Sequence, residues 1–278
     1  MDNQVRSSIK IHNLQTADEL EAVRKLEALV WSVEESVPVT QTLAAVKNGG
    51  FILGAFLGDV LVGFQYSFPG FDGQKIYLYS HSLGIHPDCR RMGIGEMLKI
   101  AQKETALQKG HDLIKWTFDP LETVNGNLNL HKLGGSCSVY IEDAYGEIPD
   151  ELNAGIPSDR FLVEWWIKRP GLSISEGSVD DIPSTIQTGY RNDCLVPGQI
   201  DLNCKNTNLL VPVPGNFQEL KQKNFSLALD WRETTRMVFT NYISQGWIVI
   251  DLLKNPQQQD SFYYLMEKRV QGDSTDGN

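Results

Sequence analysis

The stretch from Ser80 to Lys99 has the residue types and spacing of an anion-binding site. A strand-like apolar run ends at His86-Pro87, and after a short turn the sequence Arg-Arg-Met-Gly-Ile-Gly of residues 90–95 leads into a pattern typical of a helix. The first backbone amides of a helix have no partner inside the helix, and they favour a bound anion. This order of strand, glycine-containing turn and helix predicts a phosphate-binding site.

Two common nucleotide-binding motifs do not fit this stretch. A dinucleotide-binding fingerprint needs a third small residue after Gly93 and Gly95, but Leu98 stands there, and no acidic residue closes the next strand as that motif requires. A P-loop needs Gly-Lys followed by Ser or Thr, and the sequence contains no such run. Both motifs are therefore excluded.

Residues 83–95 read Leu-Gly-Ile-His-Pro-Asp-Cys-Arg-Arg-Met-Gly-Ile-Gly, and this run resembles the acyl-CoA signature of the GNAT superfamily of N-acyltransferases. The core of that signature is Arg or Gln, two variable residues, Gly, one variable residue, and Gly or Ala, which falls here on residues 90–95. The preceding strand, the His-Pro turn and the following helix extend the resemblance. It implies that acetyl-CoA or another acyl-CoA is the co-substrate and that no metal is needed.

The GNAT resemblance implies two contacts with CoA. Backbone amides of residues 91–96 bind the pyrophosphate, since side chains at Gly93 and Gly95 would block its approach. The strand before them bonds the pantetheine arm, and Gly84 is the predicted place for the β-bulge that admits the thioester. Two asparagines of the later short helix are further candidates, with helix capping (Asn125) and solvent exposure (Asn129) as the alternatives. The implied CoA-binding residues are Leu83, Gly84, Ile85, Arg90, Arg91, Met92, Gly93, Ile94, Gly95, Glu96, Asn125 and Asn129.

The implied reaction is direct transfer of an acyl group from CoA to an amine. It needs a base for the ammonium proton, an N–H group for the thioester oxygen and an acid for the leaving thiolate. Tyr79 and His81 alternate with buried positions, so both are expected on one face of the strand. His81 lies where some aralkylamine-acetylating relatives have a catalytic His, and Tyr79 lies where others have a Glu. The alternative for His81 is a structural hydrogen bond to a neighbouring hydroxyl.

The general acid is where the sequence departs from the family pattern. Many relatives have a Tyr four residues before the Gly that ends the fourth helix; here that Gly is Gly134, and the position is Leu130. Tyr140 is the main candidate for a replacement, beside His131 and Cys137. The thiolate could also leave without help, since a thiol pKa of about 8.5 makes it a fair leaving group.

Hydrophobic periodicity and turn signals predict the element order βααβββαβαββ over roughly residues 9–169. The first helix starts at a capping box, Thr16 to Glu19. Its predicted buried face consists of Leu20, Val23, Leu26, Leu29 and Val30. An antiparallel hairpin region and a strand–helix–strand crossover in one chain predict an α/β fold with a mixed sheet, and this is also the order of the GNAT fold.

Residues 171–278 are predicted to form a smaller C-terminal α+β extension. A long helix that ends at Ser244, followed by strands over residues 247–253 and 262–268, repeats the helix–strand–strand order of residues 124–167. The expected domains are therefore 1–170, with the GNAT fold, and 171–278, a degenerate half-repeat of it. Chance similarity between two common arrangements is the alternative.

Composition limits the partners and the compartment. The chain has 278 residues and a formal net charge of −10, which argues against a nucleic-acid partner because phosphate backbones are bound by basic surfaces. No apolar segment approaches the roughly 20 residues of a membrane span, and the N-terminus lacks a signal pattern. The four cysteines have no Cys-x-x-Cys spacing, so neither zinc nor disulfides are expected. These features predict a cytoplasmic protein without a membrane partner, and they are compatible with a homodimer.

The main functional hypothesis is an N-acetyltransferase that acts on a small amine or amino acid. The CoA signature does not specify the acyl group, so N-succinylation of amino acids is an alternative. A second class of function is a catalytically inactive CoA-binding sensor or assembly module, since the usual acid is missing. The acceptor and the role of residues 171–278 stay open at this stage.

Overall fold

The computed structural model describes residues 6–146, 155–171, 179–258 and 260–269. The chain divides into two compact units. Unit 1 contains the residues up to 116 together with 166–168, and unit 2 contains residues 117–165 together with those from 169 onward. The units do not coincide with the predicted domains, because residues 117–165 pack with the C-terminal part of the chain.

Unit 1 contains the elements that precede and follow the turn predicted to bind phosphate. They are β1 (Ile9–Leu14), α1 (Ala17–Val30), α2 (Val39–Lys47), β2 (Phe51–Leu57), β3 (Val60–Phe71), β4 (Ile76–Ile85), a 3-10 turn (Pro87–Cys89), α3 (Ile94–Gln108) and β5 (Leu113–Phe118), which crosses into unit 2. The elements of unit 2 are α4 (Thr123–Gly126), a π-helical turn (Asn127–Lys132), β6 (Ser136–Ile141), β7 (Arg160–Trp166, which ends in unit 1), a 3-10 turn (Val179–Asp181), β8 (Ile186–Arg191), β9 (Cys194–Ile200), β10 (Asn208–Pro214), α5 (Phe217–Lys223), α6 (Phe225–Ser244), β11 (Trp247–Lys254) and β12 (Ser261–Lys268). The predicted order βααβββαβαββ is confirmed.

The sheet of unit 1 has the strand order β1-β2-β3-β4-β5. The first four strands are joined by antiparallel pairs, whereas β5 runs parallel to β4 and pairs with it at Leu78↔Ile114 and Tyr79↔Lys115. Beyond Tyr79, the described pairs of β4 are with β3. The sheet is mixed, as predicted.

Helices cover both faces of this sheet. Helices α1 and α2 pack on one face, in a core cluster that includes Phe64 and Tyr66 of β3. Helix α3 packs on the other face, where Ile94 and Leu98 approach a Cβ built on Gly63 to 3.2 and 3.3 Å. Because consecutive strand residues point to opposite faces, Gly63 and Phe64 mark the two layers.

The buried face of α1 differs from the predicted one. The capping box of Thr16 and Glu19 is confirmed, and Leu26 is buried. Leu29, however, is 55% exposed, and Glu27 is only 2% exposed. The prediction of a buried Leu29 was wrong because the buried stripe, at its spacing of three and four residues, passes through position 27 and leaves position 29 beside it.

Strand β4 has its bulge at His81 and not at Gly84. Residue 66 of β3 pairs with Ser82 and residue 67 pairs with Ser80, so His81 is the extra residue. Gly84 lies in regular register. The predicted bulge position was wrong because a bulge depends on how two strands pair, which the sequence of one strand does not reveal.

The bulge reverses the alternation of side chains along β4. Ser80 faces α3, where Lys99 Nζ donates a hydrogen bond to its Oγ (2.9 Å). Ser82 faces α1, where its hydroxyl donates to Glu27 Oε1 (3.4 Å). Residues two positions apart in a regular strand point to the same face. Because of the bulge, Ser80 and Ser82 instead point to opposite faces of the sheet.

In unit 2 the strand order is β7-β6-β11-β12-β10. The ring of Phe118, at the end of β5, lies 5.8 Å from that of Phe161 in β7. Thus β7 lies between β6 and the end of β5, and β12 lies between β11 and β10. In the sequence, α4 and the π-turn lie between β5 and β6, and α5 and α6 lie between β10 and β11. This matching order supports the half-repeat, which stays a prediction.

The long C-terminal helix buries one face. Helix α6 buries Trp231, Val238, Phe239 and Tyr242, at the spacing expected for one face. Asn224 separates α6 from the shorter α5 and accepts a hydrogen bond from the Leu227 amide (3.1 Å). This asparagine caps the start of α6.

Replacing Gly84 by Ala is expected to destabilise the protein by about 1–3 kcal/mol through overpacking. A Cβ at this position would lie 2.5 Å from Cε1 of Phe64. The free energy of unfolding, measured by denaturant titration, tests this. Gly189→Ala is the control, because no atom lies within 4 Å of a Cβ there. Equal stability of the two variants would contradict the packing argument.

Candidate functional site

The turn between β4 and α3 holds two residues in the left-handed backbone region. Arg91 has a φ of 67° and Gly93 a φ of 77°. A positive φ is uncommon for a residue other than glycine, so Arg91 marks local strain. Left-handed residues in such a turn direct neighbouring amides toward one point and create a concave anion-binding site.

The amides of this turn are open to a ligand. The first backbone hydrogen bond of α3 runs from the Met97 amide to the Gly93 carbonyl (3.1 Å). Among the described residues, none accepts a hydrogen bond from the amides of residues 91–95. These amides lie at the positive end of the α3 dipole, so the turn fits the pyrophosphate that the sequence predicts.

Three arginines surround the turn. Arg90 and Arg91 are exposed, and Arg6 lies on the other side, where its Cζ would be 3.4 Å from a Cβ built on Gly93. Arg6 also approaches Glu96 Oε1 to 3.8 Å. Sequence reasoning missed Arg6, since it stands alone in an N-terminal segment without a motif.

The strand segment predicted to bind pantetheine has one unpaired edge among the described residues. Leu83, Gly84 and Ile85 pair with β3 on one side, and no described residue pairs with their other edge. Peptide-like groups bind such an edge as an added strand. This geometry is compatible with the implied contact to pantetheine.

Aromatic rings surround the candidate base on the α1 face of β4. The His81 ring lies 5.4 Å from Tyr66 and 5.7 Å from Phe68, and Phe68 lies 5.6 Å from Tyr79. Tyr79 and His81 therefore share one face, as predicted. Desolvation by burial lowers the pKa of His81, although the residue as a whole is exposed. A neutral imidazole can accept a proton near neutral pH.

Unit 2 contains the predicted acid Tyr140 in a buried ionic cluster. Its hydroxyl donates to Asp159 Oδ2 (2.6 Å), and Arg236 Nε donates to the same carboxylate (2.8 Å). Burial and the charge of Asp159 raise the pKa of Tyr140 far above its ordinary value. A phenol that already donates to a buried carboxylate is a poor proton donor, and this favours a structural role for Tyr140.

The other predicted residues of unit 2 lie around α4 and the π-turn. Asn125 is exposed and Asn129 is buried. The N-cap of α4 is Glu122, so both alternatives, capping by Asn125 and solvent exposure of Asn129, were wrong. Leu130, at the position of the usual family acid, is buried. Asn129 and Leu130 belong to the π-turn, and π-helical turns are frequent near functional sites.

The two remaining acid candidates differ in accessibility. His131 is exposed, and its Nδ1 lies 3.1 Å from Asp251 Oδ1. Cys137 is fully buried, and burial raises the pKa of its thiol well above the ordinary value. Burial makes Cys137 the weaker candidate.

Searches for a metal site and for a membrane span give no candidate in the described ranges. No three His, Cys, Asp or Glu side chains among the described residues are grouped so that they could hold a metal ion. No helix in the described part of the chain combines the length and the apolar character that crossing a membrane requires.

Residues 17–134 match the model of the family described as "Acetyltransferase (GNAT) family". The match starts at α1, includes the whole turn before α3 and ends at Gly134 after the π-turn. No protein of curated function matches the sequence.

Several solved structures are similar to more than half of the chain. They include yncA from Salmonella typhimurium with its cofactor acetyl-CoA (15% identity, 60% of this chain and 99% of that chain, TM-score 0.48). The ribosomal-protein-S18-alanine N-acetyltransferase from Escherichia coli (13% identity, 60% and 99%, TM-score 0.47) and Arabidopsis thaliana Naa50 in complex with a bisubstrate analogue (16% identity, 56% and 97%, TM-score 0.46) are others. Similarity at this level assigns no acceptor.

Replacing Phe68 by Leu is expected to raise the pKa of His81 toward the ordinary value of about 6.5, because water then reaches the imidazole. The titration of the His81 ring protons by NMR measures this. Phe71→Leu is the control, since Phe71 is 66% exposed at the far end of β3. An unchanged His81 pKa in Phe68→Leu would contradict the role of the ring.

Proposed function

We propose that the protein is a cytoplasmic N-acetyltransferase that transfers the acetyl group of acetyl-CoA to a small amine or amino acid. The match of residues 17–134 to the acetyltransferase (GNAT) family model supports this proposal. The observation that carries this proposal is the turn before α3, with its left-handed backbone and its open amides. Such a turn binds a diphosphate group without a metal ion.

The chain supplies separate groups for holding the donor and for moving a proton. Amides of residues 91–95, helped by Arg6, Arg90 and Arg91, hold the pyrophosphate of CoA. The exposed edge of residues 83–85 bonds the pantetheine arm. His81 is the proposed base, because its imidazole is neutral near pH 7, and Tyr79 lies on the same face. The thiolate takes its proton from solvent, or leaves as the anion.

Two alternatives differ in chemistry. Succinyl-CoA could be the donor, because the turn contacts the part of CoA that all acyl-CoA molecules share. An inactive CoA-binding module is favoured by one observation, the engagement of Tyr140 by Asp159, which removes the main candidate to replace the acid that is missing at Leu130.

An amine panel with acetyl-CoA and succinyl-CoA separates these alternatives. Thiol release is the readout for turnover, and calorimetry is the readout for CoA binding. Acetyl-CoA-dependent thiol release with at least one amine is expected. CoA binding without turnover on any amine would reject the enzyme in favour of the binding module.

Replacing Gly93 by Val is expected to weaken CoA binding at least about tenfold, because a β-branched residue does not adopt a positive φ. Isothermal titration calorimetry with CoA measures this. Gly73→Val is the matched control, since Gly73 also has a positive φ, 93°, with no atom within 4 Å of a Cβ. Equal CoA affinity of the two variants would show that the turn does not bind the cofactor.

Replacing His81 by Gln is expected to lower kcat by about 10²–10⁴-fold, the usual contribution of a general base. CoA affinity should stay unchanged, because His81 does not contact the turn before α3. Steady-state kinetics together with calorimetry tests both parts. Full activity of His81→Gln would assign the base to another residue.

A further inference from the structure

Glu27 is a buried carboxyl group that forms no ion pair with the described part of the chain. It lies on α1 beside Val23 and Leu26 and is 2% exposed. Its Oε2 accepts a hydrogen bond from the Val37 amide (2.9 Å) and its Oε1 accepts one from the Ser82 hydroxyl (3.4 Å). No described Lys, Arg or His side chain forms an ion pair with it.

The position of Glu27 is unfavourable for the fold. A carboxylate in an apolar layer loses its hydration, and two neutral hydrogen bonds replace that hydration incompletely. Burial accordingly raises the pKa of Glu27. The titratable groups that act on this carboxyl are Arg24 on α1, which is ion-paired with Glu21 (3.3 Å), and Tyr66 on β3. The loss of hydration makes Glu27 unfavourable for folding, so a functional role is the better explanation of its buried position.

Ser82 connects this carboxyl with the segment that contains His81. It follows the bulged residue directly and pairs with Tyr66, whose ring lies 5.4 Å from His81. The Ser82 side chain is half-buried, between the fully buried Glu27 and the exposed His81. A hydroxyl at this place can accept one proton while it donates its own.

We infer that Glu27, through the Ser82 hydroxyl, receives one of the two protons that the acceptor ammonium loses, while the proposed base His81 receives the other. This inference rests on the proposed function. An acceptor enters as an ammonium ion, and His81 takes the first of its N–H protons, which frees the nitrogen lone pair. Once this nitrogen is bonded to the acyl carbon, it gives up a second N–H proton to Ser82 Oγ, and the Ser82 proton passes to Glu27 Oε1, so that a neutral amide results. The freed nitrogen lone pair forms the C–N bond as the C–S bond to CoA breaks, and the thiolate leaves with the bonding electrons. Glu27 then returns its proton to solvent or to the thiolate. Ser82 contacts the acceptor in this scheme, and Glu27 is a positioning residue.

The same carboxylate selects the class of acceptor. Glu27 attracts an ammonium group, whereas it repels a carboxylate bonded to the same carbon atom, since no described cation neutralises it. The acceptor is therefore a primary amine without a carboxylate next to the nitrogen. The proposed function names two acceptor classes, small amines and amino acids, and Glu27 favours the small amine.

The first experiment compares Glu27→Gln, Ser82→Ala and the double variant with the wild-type protein. Gln keeps an oxygen for the Val37 amide but has no carboxylate to accept a proton. Each single variant is expected to lower kcat at least about tenfold with an unchanged KM for acetyl-CoA. The double variant should lose no more than the worse single variant, because the two residues act as one unit. Glu34→Gln is the matched control, since Glu34 is exposed in the segment after α1.

The pH dependence separates this role from a merely structural one. The wild-type protein loses activity as pH falls through the raised pKa of Glu27, and Glu27→Gln should lose this part of the acid limb, whereas Glu34→Gln should keep it. An unchanged kcat and pH profile in Glu27→Gln, beside an active wild-type enzyme, would overturn the inference and leave the proposed function intact. A wild-type protein that binds CoA but acetylates no amine would instead reject the proposed function.

Amine pairs that differ by one carboxylate test the acceptor class. The pairs are 2-phenylethylamine with phenylalanine, tyramine with tyrosine, and cadaverine with lysine. The wild-type enzyme should prefer the amine of a pair at least about tenfold in kcat/KM, and Glu27→Gln should reduce that preference. Preference for the amino acid in the wild-type enzyme would overturn this assignment.

Stability gives an independent check of Glu27. Folding raises its pKa, so the folded state favours the protonated form, and the contribution of Glu27 to stability falls as pH rises from the unfolded value of about 4.3 through the folded one. Glu27→Gln should therefore gain stability relative to the wild-type protein over this range, as measured by Tm against pH. A Tm below that of the wild-type protein at neutral pH would overturn the argument that the carboxylate is kept at a cost to the fold.

Discussion

The bulge at His81 is the constraint on which the arrangement of unit 1 depends. One extra residue in β4 sends Ser80 to the α3 face and Ser82 to the α1 face. A disrupted ladder needs other partners for its polar groups, and a buried network supplies them: Gln65 Nε2 donates to the Tyr66 carbonyl (2.7 Å). The rest of this network consists of Ser67, Ser80, Lys99 and Gln102. The polar interior beneath β4 is thus a consequence of the bulge, and the bulge also determines which side chains stand beside the candidate base.

Local sequence patterns predicted the helices and strands, whereas the burial of charged residues and the side-chain contacts depended on pairing between distant segments. Turn and capping signals placed the strands and helices because they depend on neighbouring residues. The burial of Glu27 and Lys99 was not predictable, since a charged residue is assigned to solvent unless its partner is known. The turn before α3 was predictable as a candidate site because Gly93 and Gly95 belong to one short run of the sequence. The contacts of Ser82, 55 residues from Glu27, were not.

Unit 2 illustrates the same limit on prediction for an ionic cluster. Arg236 and Asp159 stand 77 residues apart, yet they meet beside Tyr140. Asp119 and Arg232 are 113 residues apart and are hydrogen-bonded in the same interior. No spacing rule relates such positions, so a tyrosine that looked suitable as an acid from its place in β6 has its proton engaged by a neighbour. The half-repeat, in contrast, was predicted from the order of helices and strands in the sequence. Which strands lie side by side follows chain order more closely than side-chain contacts do.

The turn before α3 also bears on how an acidic protein attracts an anionic cofactor. The net charge of −10 repels an anion at long range, but at physiological ionic strength this repulsion fades beyond about 8 Å. Arg6, Arg90 and Arg91 lie at the turn itself, so their attraction acts inside that distance. Association is then governed by local charge, and added salt screens the repulsion of the whole protein as well as the attraction of the three arginines. The isoelectric point of this chain is consequently no guide to the charge of its ligand.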